Sequence, residues 1–185
     1  MKTRKKTIEI EFRARFGKDK FESLRRFLDA RAKDLGRGDK DVYFFIFPDK
    51  LLKVVDNISK KNAKIVLKLN KIGRGSDFEE IEVPIAQSEF QEIAKIFKKV
   101  LTCDLMHSFQ KRHNYLYKGV ELALKWSEVW GYHLELEVVI NEKSKKSQAE
   151  EKIMAVAKEL GVKIMTDQKL KKFTEKAEAD YKTRK

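Results

Sequence analysis

Between Thr7 and Phe16 the chain reads T-I-E-I-E-F-R-A-R-F, an unbroken alternation of apolar and charged residues. Successive side chains of a strand point to opposite faces. Ile8, Ile10, Phe12, Ala14 and Phe16 therefore share one face, and Glu9, Glu11, Arg13 and Arg15 share the other. Such a strand can be a half-buried antiparallel strand with a wet face. It can also carry a site, with carboxylates holding a divalent cation beside guanidiniums that hold phosphate oxygens.

The pattern then changes period. Over Lys18–Leu35, Phe21, Leu24, Phe27, Leu28, Ala32 and Leu35 recur at spacings of three and four, which predicts a helix closed by Gly36. Arg37–Lys40 reads as a loop. Strands are expected at Asp41–Phe47, Leu51–Val55, Lys64–Lys71 and Asp77–Ile85, with a loop at Gly73-Arg74-Gly75-Ser76. A second helix over Ser88–Leu101 has Ser88 and Gln91 spaced as a capping box. Strands follow at His107–Tyr117 and Val120–Trp126 around a Lys118-Gly119 turn, then at Tyr132–Ile140. A third helix starts at a Ser147/Glu150 capping box and ends at Leu160 before Gly161, and a fourth covers Asp167–Tyr181. Hairpin-linked strands in this number predict an α+β protein whose antiparallel sheet closes on itself with helices outside.

Composition fits one domain, residues 7–181, between a basic tail at 1–6 and a short tail at 182–185. The chain of 185 residues holds 42 Lys and Arg against 29 Asp and Glu, a net charge of +13, and this balance favours polyanionic partners. The single cysteine, Cys103, lies in an apolar setting and excludes an internal disulfide. No apolar run approaches a membrane span, and Met1–Lys6 is not followed by a signal-peptide core, so a cytoplasmic protein without membrane attachment is expected. His107, His113 and His133 lack metal-ligand spacing with Cys103, and Gly73-Arg74-Gly75 is too short for a phosphate-binding glycine loop. Ser108 beside His107 carries no evidence of a catalytic triad.

The Phe-rich helical stripes need an apolar surface to cover. The economical solution turns the apolar strand faces outward beneath the helices and the charged faces inward. The interior would then hold Glu9, Glu11, Arg13, Arg15, Asp41, Lys64, Lys68, Glu80, Glu82, Arg112, Glu135 and Glu137. Unpaired charges are costly to bury, so such a lumen is wet or filled by ligand.

These residues resemble a known family. Glu9-Ile10-Glu11-Phe12-Arg13 is similar to the E-x-E-x-[K/R] strand of the CYTH domain, the triphosphate tunnel metalloenzymes. Asp41-Val42-Tyr43, Lys53, Leu67-Lys68, Glu80-Ile81-Glu82, Arg112-His113-Asn114-Tyr115 and Gly131…Glu135-Leu136-Glu137 resemble its later motifs in order. The likeness spans about residues 7 to 175. It implies an eight-stranded antiparallel β-barrel, a triphosphate tunnel with a polar interior. Glu9, Glu11, Glu135 and Glu137 would hold Mg²⁺ or Mn²⁺. Arg13, Lys53, Lys68 and Arg112 would act in catalysis by gripping phosphate, joined in binding by Arg15, Lys64 and Lys125. Asp41, Tyr43, Glu80, Glu82 and Tyr115 would complete the tunnel. Two positions depart from the family. Lys125 stands where an aspartate is common, and Gln110 stands where a lysine is usual two residues before Arg112.

The expected activity is divalent-metal-dependent hydrolysis of a small triphosphate, whether a nucleotide, thiamine triphosphate or inorganic triphosphate. Cyclisation of ATP to cyclic AMP is the enzymatic rival, and Lys125 favours a non-catalytic nucleotide or polyphosphate binder. Nucleic acid is a further partner class, suggested by the basic ends Lys2–Lys6 and Lys169–Lys185. A monomer or homodimer is expected.

Overall fold

The apolar alternation of the strands and the stripes of the helices bury each other. The computed structural model describes residues 8–69 and 77–183. Its strands are β1 (Ile8–Arg15), β2 (Lys33–Arg37), β3 (Lys40–Ile46), β4 (Leu51–Asn57), β5 (Asn62–Lys68), β6 (Asp77–Ile85), β7 (Asp104–Tyr117), β8 (Val120–Ser127) and β9 (Gly131–Ile140). The helices are α1 (Lys18–Arg31), α2 (Phe90–Val100), α3 (Lys146–Glu159) and α4 (Asp167–Thr183). Eight strands form an antiparallel ring in the order β7-β3-β4-β5-β6-β1-β9-β8, and β8 returns to β7. Five of the joints are hairpins. At the β7–β8 hairpin Lys118 and Gly119 both adopt positive φ, 49° and 71°, the pair of left-handed residues that a tight two-residue turn requires. β1 joins the ends of the sheet, pairing along its whole length with β9 but with β6 only from Ile8↔Glu79 to Ile10↔Asp77.

The apolar faces point outward, as expected. Ile10, Leu122, Leu134 and Leu136 meet Leu24 and Leu28 of α1 and Ile153 and Val156 of α3 in one buried cluster. Tyr43, Phe45 and Val54 meet Phe90 and Ala94 of α2 in another. Full burial of a side chain of this size contributes on the order of 1.5–3 kcal/mol as an upper estimate. These outward clusters therefore hold the shell together while the lumen stays polar.

Three local expectations are corrected. The first helix ends at Arg31, not Leu35. Lys33–Arg37 forms β2, which extends the sheet beside β7 with a register shift between Asp34 and Gly36, and Gly36 sits in that bulge at φ 82°. The Ser88/Gln91 capping box does not form. Glu89 instead accepts from the Ala86 N–H at 2.9 Å, while Gln91 accepts from the Tyr43 hydroxyl. Ser147 lies inside α3 and its hydroxyl donates to Glu151, so it caps nothing. The Gly73–Ser76 loop lies outside the described residues.

α4 crosses one mouth of the ring. Near its start, Phe173 packs edge-on against Trp130 at 5.0 Å, with the Arg15 guanidinium over its ring at 3.9 Å. Near its end, Tyr181 accepts from the His107 backbone N–H at 3.0 Å, and Lys182 pairs with Asp104 at 2.7 Å. The helix thus runs from the β1–β9 side of the ring to β7. Ile46, Leu51 and Met106 lie buried against Tyr181. Among the described residues no helix is long and apolar enough to cross a membrane.

Candidate functional site: a charged tunnel inside the ring

The inward faces enclose a cavity of about 280 Å³. Four carboxylates of β1 and β9 enter it two residues apart, and they divide into two environments.

Glu9, Glu11 and Glu137 gather ligand oxygens within 4.8 Å of one another. Cross-strand register explains this, because Glu11 lies opposite Glu137, which also faces Glu121 on β8. Burial and the neighbouring carboxylate Glu80 push Glu9 up to about 7, and burial with Glu9 and Glu11 pushes Glu137 up to about 8. Hard oxygen donors that repel one another and share a site suit a divalent cation, which would relieve both the repulsion and the desolvation.

Glu135 sits in the opposite situation. It accepts from Arg13 Nε at 3.2 Å and from Lys125 Nζ at 2.9 Å, and pairs with Arg112 at 3.6 Å. Burial alone would raise its pKa, but Lys125, Arg13 and Arg112 hold it well below the usual carboxylate range. Arg13 also pairs with Glu11. The structure therefore separates Glu135 from the other three expected metal ligands and places it within a knot of cations.

Lys68 forms a third cluster, paired with Glu80, with Glu11 at 3.5 Å and with Glu9 at 3.8 Å. These carboxylates hold its pKa above the ordinary value despite burial. Glu82 pairs with Lys64. Lys53 enters the cavity from β4. Burial, then Lys68, pushes its pKa down to about 8.

Four expected tunnel residues are not brought in. Arg15 turns outward to donate to the Trp130 carbonyl at 2.9 Å and to stack on Phe173. Asp41 binds His107, and Tyr43 stacks on that ring at 4.1 Å beneath α2, so both face outward. Tyr115 is buried under α1 and donates to Asp29 at 2.7 Å. On β3 the inward residues are Lys40, Val42, Phe44 and Ile46. The strand is apolar on both faces, so alternation did not reveal which face turned inward.

Other lining residues were not singled out. Lys40 faces the lumen, and burial together with Arg112, Lys125 and Lys64 lowers its pKa well below the usual lysine value. His133 shares the face of Glu135 and Glu137 and is 2% exposed. Its Nδ1 lies 2.9 Å from the Gly131 carbonyl, and burial beside Lys125 pushes its pKa down to about 3. Trp130, Thr174, Ala177 and Glu178 line the end beneath α4. The alternation of β9 already contained His133, whereas the α4 residues carried no sequence signal of entering a barrel.

Comparison with known proteins agrees with this architecture. A Pyrococcus horikoshii protein, PH1012, is 27% identical and superposes with a TM-score of 0.68, covering 84% of this chain and 91% of its own. A putative adenylate cyclase from Vibrio parahaemolyticus shares the fold at 12% identity and TM-score 0.64, over 88% of this chain and 91% of its own. A putative adenylyl cyclase from Hippeastrum, described as having a dominant triphosphatase activity, shares it at 18% identity and TM-score 0.56, over 85% and 89%. A search of curated proteins found no significant match. The CYTH domain model matches residues 7–170, and the chain belongs to the CYTH domain family.

Proposed function

We propose that the tunnel binds the triphosphate of a small molecule and hydrolyses it with the help of a divalent cation. One observation carries this reading. A close carboxylate trio, Glu9, Glu11 and Glu137, shares a single cavity with Arg13, Lys53, Lys68, Arg112 and Lys125. Trio and cations are complementary to the two halves of a metal–triphosphate complex.

The residues divide the work. The trio would hold Mg²⁺ or Mn²⁺, and the ion, when bound, would neutralise phosphate charge and fix the chain's orientation. Arg112, Lys53, Lys64 and Lys125 would grip phosphate oxygens. Arg13 and Lys68 would set the shape of the grip, since carboxylates already hold them in place. Such fixed cations cost no rearrangement when charge develops on the transferred phosphoryl group. Membership of the CYTH family, and the activities named for the Vibrio and Hippeastrum proteins, support a triphosphate substrate. Cyclisation of ATP needs the same grip plus activation of a ribose hydroxyl.

A second reading, a binder without turnover, is favoured by the Lys125–Glu135 pair. It withdraws one carboxylate from the metal set.

The test is an assay of phosphate and cyclic-nucleotide release from tripolyphosphate, ATP and thiamine triphosphate with Mg²⁺ or Mn²⁺. Metal-dependent phosphate release is expected, and it should be abolished by Glu9→Gln with Glu11→Gln. Turnover unaffected by the double substitution would remove these residues from the reaction. Tight tripolyphosphate binding with no product would favour the binder.

A further inference from the structure

Strand register orders the cavity along its axis. Each strand runs between the end beneath α4 and the opposite mouth. On β1, Glu9 lies toward that mouth and Arg13 toward α4, about 13 Å apart along the strand at about 3.3 Å per residue. On β9 the order from the mouth is Glu137, Glu135, His133, because β9 pairs antiparallel with β1. On β8 it is Glu121, then Lys125. The carboxylate trio thus sits toward the mouth, with Arg13, Lys125 and Lys68 deeper.

The two ends differ in exposure. At the mouth, the Glu121 side chain is 46% exposed and Val139 is 53% exposed. Beneath α4, Ile46, Leu51 and Met106 are at most 8% exposed. Beyond Arg13 and Lys125 the lining offers nothing further to an anion. It consists of this apolar wall, Trp130, the Glu178 carboxylate and His133. His133 is neutral and gives its Nδ1 proton to the Gly131 carbonyl, so its Nε2 presents a lone pair. An oxyanion is repelled by such an acceptor.

We infer that the tunnel is blind and takes its ligand end-on, free phosphate terminus first, with the rest of the molecule left at the mouth. The inference rests on the triphosphate reading above and adds a direction to it. A terminal phosphate carries close to two negative charges near neutral pH, because its second ionisation lies near pH 6. An internal phosphate carries one. The deepest cations, Arg13, Lys125 and Lys68, thus meet the most highly charged group of the chain. α4 leaves no exit for a substituent on that group. A diester at the terminus loses one charge and collides with Trp130 or α4. A bulky group at the other end extends toward the exposed mouth. Longer polyphosphates bind by their ends and do not thread through.

The test changes the ligand and leaves the protein intact. Calorimetric titrations with Mg²⁺ compare tripolyphosphate, ATP, ATP esterified with methyl on its terminal phosphate, a dinucleoside triphosphate, and ATP carrying a bulky ribose substituent. Esterifying the terminus, in either form, is expected to weaken binding at least about 100-fold, or about 2.7 kcal/mol. The ribose substituent is expected to change affinity less than about threefold. The inference is overturned if both terminally esterified ligands bind within threefold of ATP, or if the ribose substituent abolishes binding. If tripolyphosphate and ATP themselves fail to bind, the triphosphate reading falls and takes this one with it. If they bind and the esterified ligands bind equally, only the end-on direction falls.

Discussion

Glu137 and Glu135 lie two residues apart on one strand, on one face, in one cavity, yet their acidities move in opposite directions. Glu137 is pushed up to about 8, whereas Glu135 is held well below the usual range. Both are removed from water, so desolvation opposes the charge of each. The neighbours decide the outcome. Glu137 faces Glu11 and Glu121 across the sheet, whereas Glu135 faces Arg13 and is reached by Lys125 and Arg112. Like-charge crowding makes a vacant cation site, and opposite-charge crowding makes a structural ion cluster. The same side chain on the same strand serves either purpose, depending on what the adjoining strands place opposite it.

The largest expected effect comes from breaking the cluster. Glu135→Gln leaves Arg13, Lys125 and Arg112 without their common acceptor, and loss of one partner of a buried pair costs about 3–5 kcal/mol. Urea unfolding at pH 7 measures this. A loss under about 1 kcal/mol would show that water or the other carboxylates satisfy these cations.

The trio's pH dependence comes next. Glu9 and Glu137 have native pKa values near 7 and 8, above the ordinary carboxylate value of 4.5. The native state therefore binds more protons than the unfolded chain between pH 4.5 and 8. Metal-free stability from these groups is full below pH 4.5 and is lost as pH rises through 7 and 8. Metal binding must displace those protons. Divalent-cation affinity should rise with pH up to about 8, with about two protons released per ion near pH 6 and almost none above pH 9. Calorimetry in buffers of differing ionisation enthalpy counts them. No proton release at pH 6 would mean that the cation binds elsewhere.

Lys125→Asp converts the cation cluster toward the acidic one. It replaces the ammonium that pairs with Glu135 by a second carboxylate, and it should raise the number of divalent cations bound per chain from one to two. The same titration reads the stoichiometry. A value unchanged at one would show that Arg13 and Arg112 alone keep Glu135 occupied.

The smallest effect is the mirror of the first. Glu137→Gln removes a carboxylate that has only like-charged cross-strand neighbours. Metal-free stability at pH 8 should rise by on the order of 1 kcal/mol while divalent-cation binding is lost. Thermal unfolding with and without Mg²⁺ separates the two. Destabilisation comparable to Glu135→Gln would erase the distinction between the two sites.

Alternation along β1 was sufficient to sort Ile8, Ile10 and Phe12 from Glu9, Glu11 and Arg13, because one face was wholly apolar and the other wholly charged. The same local rule held for Lys64, Val66 and Lys68 on β5 and for Glu80 and Glu82 on β6. It failed on β3, where Val42, Phe44 and Ile46 are as apolar as Tyr43 and Phe45. There a period of two shows that faces alternate but not which one turns inward, and Lys40 replaced Asp41 in the lumen. It also failed at the end of α1. Leu35 continued the helical spacing, but backbone pairing with β7 drew Lys33–Arg37 into the sheet.

The sequence by itself determined the strand-and-helix inventory, the polar lumen and the supply of carboxylates and cations, because these follow from side-chain periodicity over a few residues. Only the tertiary structure decided which carboxylates stand together and which are paired off, and that α4 closes one mouth. Those outcomes depend on register between strands more than a hundred residues apart, such as Arg13 opposite Glu135, and on where a helix docks once the ring has formed.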